Sequence, residues 1–323
     1  MAIDLSTRYL GIDLSSPLMP GASALVDDPD TVRRLEDAGA PAIVLYSLFE
    51  ERIREADLRR SQPPGAKPAV TYGSVPGAVG PDAYLELVRR TKRAVAVPVI
   101  ASLNGRTVGD WVAHARAIEQ AGADALELNL YFVPTDISEP GSVVEARCLE
   151  IVRAARAAVT IPLAVKLTPF FTSVANMAHR VDELRVDGLV LFNRFSQPDI
   201  DVERMDYVSR LELSAPSELR LRLRWVALLF GRVRASLALG GGVHSGLDVV
   251  KAILAGADVV QVVSALVVGG PAALRTLREQ MLAWMEANEH ASLADLRGRL
   301  SLGRAPNPAA LERASYIGML HGK

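Results

Sequence analysis

Eight short apolar runs, each followed by an amphipathic stretch, set the tightest limit on what this chain can fold into. The runs are Leu18–Ala24, Ala42–Leu48, Pro98–Leu103, Ala125–Phe132, Pro162–Leu167, Gly188–Phe192, Ser236–Gly240 and Val259–Ala265. Each is nearly continuously apolar, the pattern of a strand covered on both faces. Between them apolar residues recur at helical spacing, as with Val32, Leu35 and Ala38, or Trp111, Ala115, Ile118 and Ala121. The phrases EDAGAPAIVLY, EQAGADALELNL and LAGADVVQVV repeat one helix-to-strand junction. In them Gly39, Gly122 and Gly256 suit the left-handed residue that closes a helix. Eight strands in strict alternation with helices predict a closed (β/α)8 TIM barrel, with an open doubly wound sheet as the alternative. With 323 residues, 50% of them hydrophobic, the chain can bury such a core. We expect one barrel over residues 1–323, with a C-terminal helical extension at about 288–323.

The rest of the composition narrows the function. A net charge of −1 gives no field that would favour nucleic acid or an anionic membrane. Cys148 is the single cysteine, so an intrachain disulfide framework and a cysteine-ligated iron–sulfur cluster are both excluded. The first residues carry early acids and no long apolar run, and no stretch reaches the roughly 18 uninterrupted apolar residues of a membrane span. A cytoplasmic protein is expected. His114, His179, His290 and His321 fall in helical patterns or the tail, without metal-ligand spacing, so no metal is expected. Cys148 lies in a helical pattern and reads as a small buried apolar residue.

Two segments break the alternation. Glu50–Gly80, rich in proline and glycine, and Arg194–Pro216 follow the second and sixth runs. Both read as loops on the C-terminal face of the barrel, where barrel enzymes place their chemistry. On that same face the seventh run ends in Gly240-Gly241-Gly242-Val-His244, and a helix is expected from about Leu247. The eighth run ends in Val262-Val263-Ser264-Ala265, followed by Gly269-Gly-Pro271. Small residues after strands seven and eight of a barrel are a frequent phosphate site, because backbone N–H groups can approach an anion there. His244 either touches that anion or caps the turn.

A polar ring is expected beside the phosphate site. Asn104, Asn129, Lys166 and Asn193 stand at the C-terminal ends of the third to sixth runs. Such a ring suits a planar heterocycle with carbonyl and N–H groups. A lysine in a buried strand has three readings: a partner for the negative edge of a reduced ring, a Schiff-base nucleophile, or an ion pair with a neighbour such as Glu127.

In order along the chain come Pro17-Leu-Met-Pro-Gly-Ala-Ser23, Ile100-Ala-Ser-Leu-Asn-Gly105, Glu127-Leu-Asn-Leu130, Val165-Lys-Leu-Thr-Pro169, Phe192-Asn193, Gly240-Gly-Gly-Val243 and Gly256-Ala…Gln261-Val-Val-Ser-Ala265. Together these pieces, over about residues 4 to 300, resemble the class 1 dihydroorotate dehydrogenases. The resemblance implies FMN as cofactor and pyrimidine-type chemistry. It also implies Gly21, Ala22 and Ser23 along the flavin, Asn104 and Asn129 bonded to the ring region, and Lys166 at its N1–O2 side. Gly241, Gly242, Val263 and Ser264 would hold the phosphate. It implies a homodimer as well.

The chain departs from the family where substrate would bind. The family carries a Cys or Ser base after strand four; here the run is Asn129-Leu-Tyr131-Phe132-Val133-Pro134, and Phe132 stands at the base position. The substrate-contacting lysine after strand two is replaced, with Leu45 in its place, and the asparagine-rich loop is reduced to Gly73-Ser-Val-Pro-Gly-Ala78. Tyr131 is the candidate catalytic proton donor, if the reaction runs in the reducing direction; the plainer reading has Tyr131 and Phe132 packing over the barrel mouth. The expected protein is an FMN-dependent oxidoreductase acting on the CH–CH or C=C bond of a small heterocyclic or unsaturated substrate that need not be dihydroorotate. Its electron partner would be a separate protein or a soluble acceptor. The alternatives are a phosphate-dependent lyase or aldolase using Lys166, and a non-catalytic flavin-binding protein.

Overall fold

The computed structural model describes residues 3–61, 79–109, 111–194, 197–208, 212–312 and 314–320. All eight apolar runs are strands: β3 (Leu18–Pro20), β4 (Ile43–Phe49), β5 (Val99–Asn104), β6 (Ala125–Asn129), β7 (Leu163–Leu167), β8 (Gly188–Leu191), β11 (Ser236–Gly240) and β12 (Val259–Val262). Each pairs in parallel with its neighbours in the order β3-β12-β11-β8-β7-β6-β5-β4. The end strands β3 and β4 lie against each other, so the sheet is a (β/α)8 barrel. The covering helices are α1 (Pro29–Asp37), α3 (Pro81–Ala94), α4 (Val112–Gln120), α5 (Gly141–Ala158), α6 (Val174–Glu183), α7 (Leu219–Leu229), α8 (Gly246–Ala255) and α10 (Ala272–Ala287). The three closing glycines have φ of +95° at Gly39, +99° at Gly122 and +122° at Gly256, as the junction phrases anticipate.

Several runs stop short of the expected ends. β3 ends at Pro20, β6 at Asn129 and β12 at Val262, where α9 (Ser264–Gly269) takes over. Segments expected as loops carry structure. Glu50–Ser61 is helix α2, held by ion pairs between Arg52 and Glu55, Glu55 and Arg59, and Arg60 and Asp57, at helical spacings that oppose the loop reading. Residues 62–78, with the reduced loop at 73–78, lie outside the described residues, as does His321. The segment after β8 forms a small hairpin of β9 (Asp199–Asp201) and β10 (Asp206–Val208). The tail carries α11 (Leu293–Leu296) and α12 (Ala314–Leu320).

An N-terminal hairpin, β1 (Thr7–Tyr9) with β2 (Ile12–Leu14), escapes a reading based on apolar runs because each strand has three residues. Its role follows from side-chain size. The inward residues at the N-terminal end of the barrel include Ala42, Ala125, Ala164 and Ala238, which leave a hollow that Tyr9, Leu10 and Leu14 fill. Gly188 belongs to the same fit: a Cβ there would stand 2.5 Å from Leu10 Cδ2. The hairpin plugs that end and leaves the other for chemistry.

One barrel seam is sealed by a helix side chain. Between Val44 and Ser47, β4 carries one residue more than β5 across from it, a bulge that interrupts the ladder. The Tyr84 hydroxyl, fully buried on α3, fills the gap by accepting from Ser102 N–H and donating to Ser102 C=O, both at 2.8 Å. Tyr84→Phe would strand both groups. It should cost about 1–3 kcal/mol, read as a lower denaturant midpoint at constant m; an unchanged midpoint would mean that water reaches the bulge.

Candidate active site

Strand alternation decides which side chains enter the barrel. On β6 and β7 the inward positions above the alanine layer are Glu127 and Lys166, then Asn129; on β12 the inward position is Gln261. Glu127, Lys166 and Gln261 form a closed buried triangle. Lys166 Nζ donates to Glu127 Oε1 at 3.0 Å and to Gln261 Oε1 at 3.1 Å, and Gln261 Nε2 donates to Glu127 Oε2 at 2.6 Å. The ion-pair reading of Lys166 therefore describes its resting state. Sequence patterns do not reveal Gln261 as a partner, because it comes from a strand 95 residues away.

The asparagines converge one layer higher. Asn104 Nδ2 donates to the Asn129 backbone oxygen at 3.1 Å, and Asn193 Nδ2 donates to Asn129 Oδ1 at 3.0 Å. Asn104 is buried, and Asn129 and Asn193 are half-buried. The expected polar ring is present as one connected network above Lys166. Gly21 closes the far side of the mouth: its N–H donates to Val262 O at 3.0 Å, and a Cβ on it would stand 2.8 Å from Val263 Cγ2. Ala22 and Ser23 follow it, both half-buried.

The glycine loop after β11 lies beside α9 and the end of the Arg194–Pro216 segment, which is expected at this face although the sequence does not single out Ser214 itself. Ser214 Oγ accepts from Gly242 N–H at 3.0 Å and sits 2.8 Å from Ser264 Oγ, while Ser214 N–H donates to Ser264 Oγ at 2.9 Å. Two hydroxyls and backbone N–H groups thus meet at the loop, with Val263 next to Ser264. Beneath it lies the buried guanidinium of Arg222, which donates to the carbonyls of Gly240 and Glu218. Burial pulls this guanidinium below its ordinary range, and the Glu218 carboxylate opposes the shift. His244 Nε2 lies 2.6 Å from Ser214 O. Ser245 and Asp248 cap α8 reciprocally, which fixes the exit of the loop.

These residues fit an elongated ligand with a planar polar ring at one end and an anion at the other. An oxyanion could take over the donors of Gly242, Ser214 and Ser264, and the neighbouring Arg222 adds positive charge. A ring with carbonyl and N–H edges matches Lys166 and the asparagines. A cavity of 740 Å3 lies at the opposite end, by the N-terminal hairpin. Two ion pairs line it, Arg234–Asp182 at 3.4 Å and Arg297–Asp258. It is therefore set apart from the mouth.

A family model described as dihydroorotate dehydrogenase matches residues 76–285. The chain belongs to the dihydroorotate dehydrogenase family. Enzymes of this family are oxidoreductases that act on CH–CH groups. The chain is 29% identical over 91% of its length, and 97% of the relative's, to a protein of Aeropyrum pernix provisionally named dihydroorotate dehydrogenase A (fumarate). It is 28% identical to the dihydroorotate dehydrogenase B (NAD(+)) catalytic subunits of Thermoplasma acidophilum, over 91% of this chain and 98% of the relative, and of Geotalea uraniireducens, over 92% and 98%.

Within this family frame the base position is the main departure. Phe132 is half-buried against the core, with the Arg147 guanidinium 4.8 Å from its ring centroid. Arg147 is itself held by two bonds to Glu139, at 2.6 and 3.1 Å. Phe132 also lines a cavity of 280 Å3 with Leu130, Val133, Cys148 and Phe171. Cys148 is buried on α5, and burial pushes its thiol up to about 11, so no thiolate is at hand. Leu45 is fully buried in the shell between strands and helices, while its neighbour Tyr46 is half-buried. Burial, helped by the Asp27 carboxylate, pushes the Tyr46 hydroxyl up to about 12. Tyr131 is half-buried on the loop between Asn129 and Phe132. Among the described residues, no group of three or more His, Cys, Asp or Glu side chains could hold a metal ion, and no helix is long and apolar enough to cross a membrane.

Proposed function

We propose that this chain is an FMN-dependent oxidoreductase that acts on the CH–CH or C=C bond of a small heterocyclic or unsaturated substrate that need not be dihydroorotate. The observation that carries the reading is the pairing of an intact cofactor half with an altered substrate half. Lys166, Asn104, Asn129 and Asn193 lie together in the barrel mouth, and Gly242, Ser214 and Ser264 lie together at the phosphate loop. FMN bound there would supply hydride transfer at the carbon centre. Gly21, Ala22 and Ser23 would border the ring, the asparagines would orient it, and Gly241, Gly242, Val263 and Ser264 would hold its phosphate. Phe132 has no atom that accepts a proton, so oxidation of dihydroorotate lacks its base. Tyr131 is the nearest hydroxyl in sequence and would deliver a proton in the reducing direction.

The aldolase reading is not favoured. A Schiff-base nucleophile needs a free amine lone pair, whereas Lys166 donates to Glu127 and Gln261. The other parts of the reading are a homodimer in the cytoplasm and an electron partner that is a soluble acceptor or second protein.

An absorbance spectrum of the purified full chain tests the cofactor. Flavin bands and one FMN released on heating are expected; a colourless protein that takes up no added FMN would refute the reading. With FMN bound, no turnover of dihydroorotate is expected, whereas a screen of activated alkenes with reduced flavin should yield a substrate. Rapid dihydroorotate oxidation would show that the base lies elsewhere than at position 132.

A further inference from the structure

The pairing of Lys166 has a consequence for any ring that rests on it. Lys166 has three N–H donors. Two are used by Glu127 and Gln261, at 3.0 and 3.1 Å. Gln261 is oriented by its own 2.6 Å donation to Glu127 Oε2, so its oxygen and not its nitrogen is turned to the lysine. Glu127 is 1% exposed, Gln261 2% and Lys166 8%. The lysine thus has a fixed place, one donor left, and a charge balanced by a single buried carboxylate. From the hairpin plug, Tyr9 brings a buried hydroxyl with no hydrogen-bond partner. Burial holds that phenol neutral, and the Glu127 carboxylate adds to the push. No second charge from below competes with Glu127.

We infer that Glu127 and Gln261 are positioning residues, and that the Glu127 charge sets how strongly Lys166 favours negative charge on the ring bound above it. This rests on the FMN reading above. Reduction places negative charge on the N1–O2 side of a flavin, and an ammonium there stabilises it. A carboxylate bonded to the same ammonium cancels part of that field, and in the low-dielectric barrel interior the cancellation is large. Gln261 keeps the balance geometric: it ties both partners so that the ammonium cannot tilt toward the carboxylate alone. The result is a flavin potential held lower than an unpaired lysine would give.

The experiment is a spectroelectrochemical titration of the FMN-loaded full chain, with the FMN dissociation constant measured alongside by fluorescence quenching. Wild type is loaded first. If it takes up no FMN, the functional reading falls before this inference is reached. Glu127→Gln should favour the reduced over the oxidised flavin about tenfold more than wild type, a rise of about 30 mV for a two-electron couple. Glu127→Asp withdraws the carboxylate by one methylene and carries less risk to folding; it should give a rise about half as large on the same scale, a roughly threefold change. A merely structural role for Glu127 would lower FMN affinity in both redox states equally and leave the potential in place. The inference is overturned if E127D, and E127Q where it folds, share the wild-type potential.

Discussion

Gly242→Ala is expected to lose FMN and a large part of its stability together. Gly242 has φ of +77°, and an added Cβ would stand 2.5 Å from the backbone nitrogen of Leu219 and 2.9 Å from its Cα. Leu219 opens α7, so the atoms in the way are backbone and cannot swing aside. The left-handed strain alone costs an alanine about 1 kcal/mol; the backbone clash should bring the total to roughly 2–4 kcal/mol. The displaced loop would also draw Gly242 N–H away from Ser214 and Ser264, so FMN affinity should fall more than tenfold. Gly11→Ala separates the two causes. Gly11, in the turn of the N-terminal hairpin, has nearly the same φ, +76°, but nothing within 4 Å of an added Cβ. It should lose only the strain component and keep wild-type FMN affinity. Equal melting shifts for the two variants in calorimetry would show that the contact with Leu219 contributes nothing.

That contrast also marks what a sequence can disclose. The run Gly240-Gly-Gly242 is legible as an anion loop because its position after a strand, and the small residues after the next one, follow from the βα repeat. What presses on the loop is not legible: Ser214, Leu219 and Arg222 come from a segment without periodicity, and their approach depends on how α7 enters the sheet. The same division holds in the barrel. The alternation of β6 and β7 places Glu127 and Lys166 on the inner face, so their pairing could be weighed as one option. Gln261 and Tyr9 join them only through barrel closure, which no local pattern encodes. The plug hairpin is the clearest case: three-residue strands carry no periodic signal, and the need for it appears only once Ala42, Ala125, Ala164 and Ala238 are seen to leave a hollow.

The structure also explains why the departures cluster. In the proposed reading, cofactor contacts would be made by strand ends and backbone, which the closed barrel fixes. In that reading, substrate contacts would come from the bulged strand β4 and from the loop after β6, where one residue can change without moving the rest of the sheet. Phe132 satisfies its loop by packing under Arg147, and Leu45 satisfies its bulge by entering the core. Each is a stable local solution that removes a polar group from the mouth.

Glu50→Ala carries the second large expected effect, at the rim of the same mouth. Glu50 is 1% exposed although it begins the helix after β4. Its carboxylate accepts from Arg106 N–H at 2.7 Å, Thr107 N–H at 3.1 Å and Thr107 Oγ1 at 2.5 Å, with Arg54 paired at 2.5 Å. These bonds hold the segment directly after Asn104 and Gly105, so one side chain fixes the loop that frames the ring end of the site. Gly105 is itself tightly placed, since a Cβ there would stand 2.7 Å from Trp111. Alanine at position 50 leaves two backbone N–H groups without their acceptor and a gap that the rigid strand end cannot close. The cost should be about 2–4 kcal/mol. Hydrogen exchange gives the decisive reading: the amides of Arg106 and Thr107 should lose protection by at least tenfold while those of β5 itself keep theirs. Glu50→Gln retains one acceptor oxygen and should recover roughly half of the protection. If both amides stay protected in the alanine variant, the loop is held by Trp111 and Gly105 packing, and the carboxylate only neutralises Arg54.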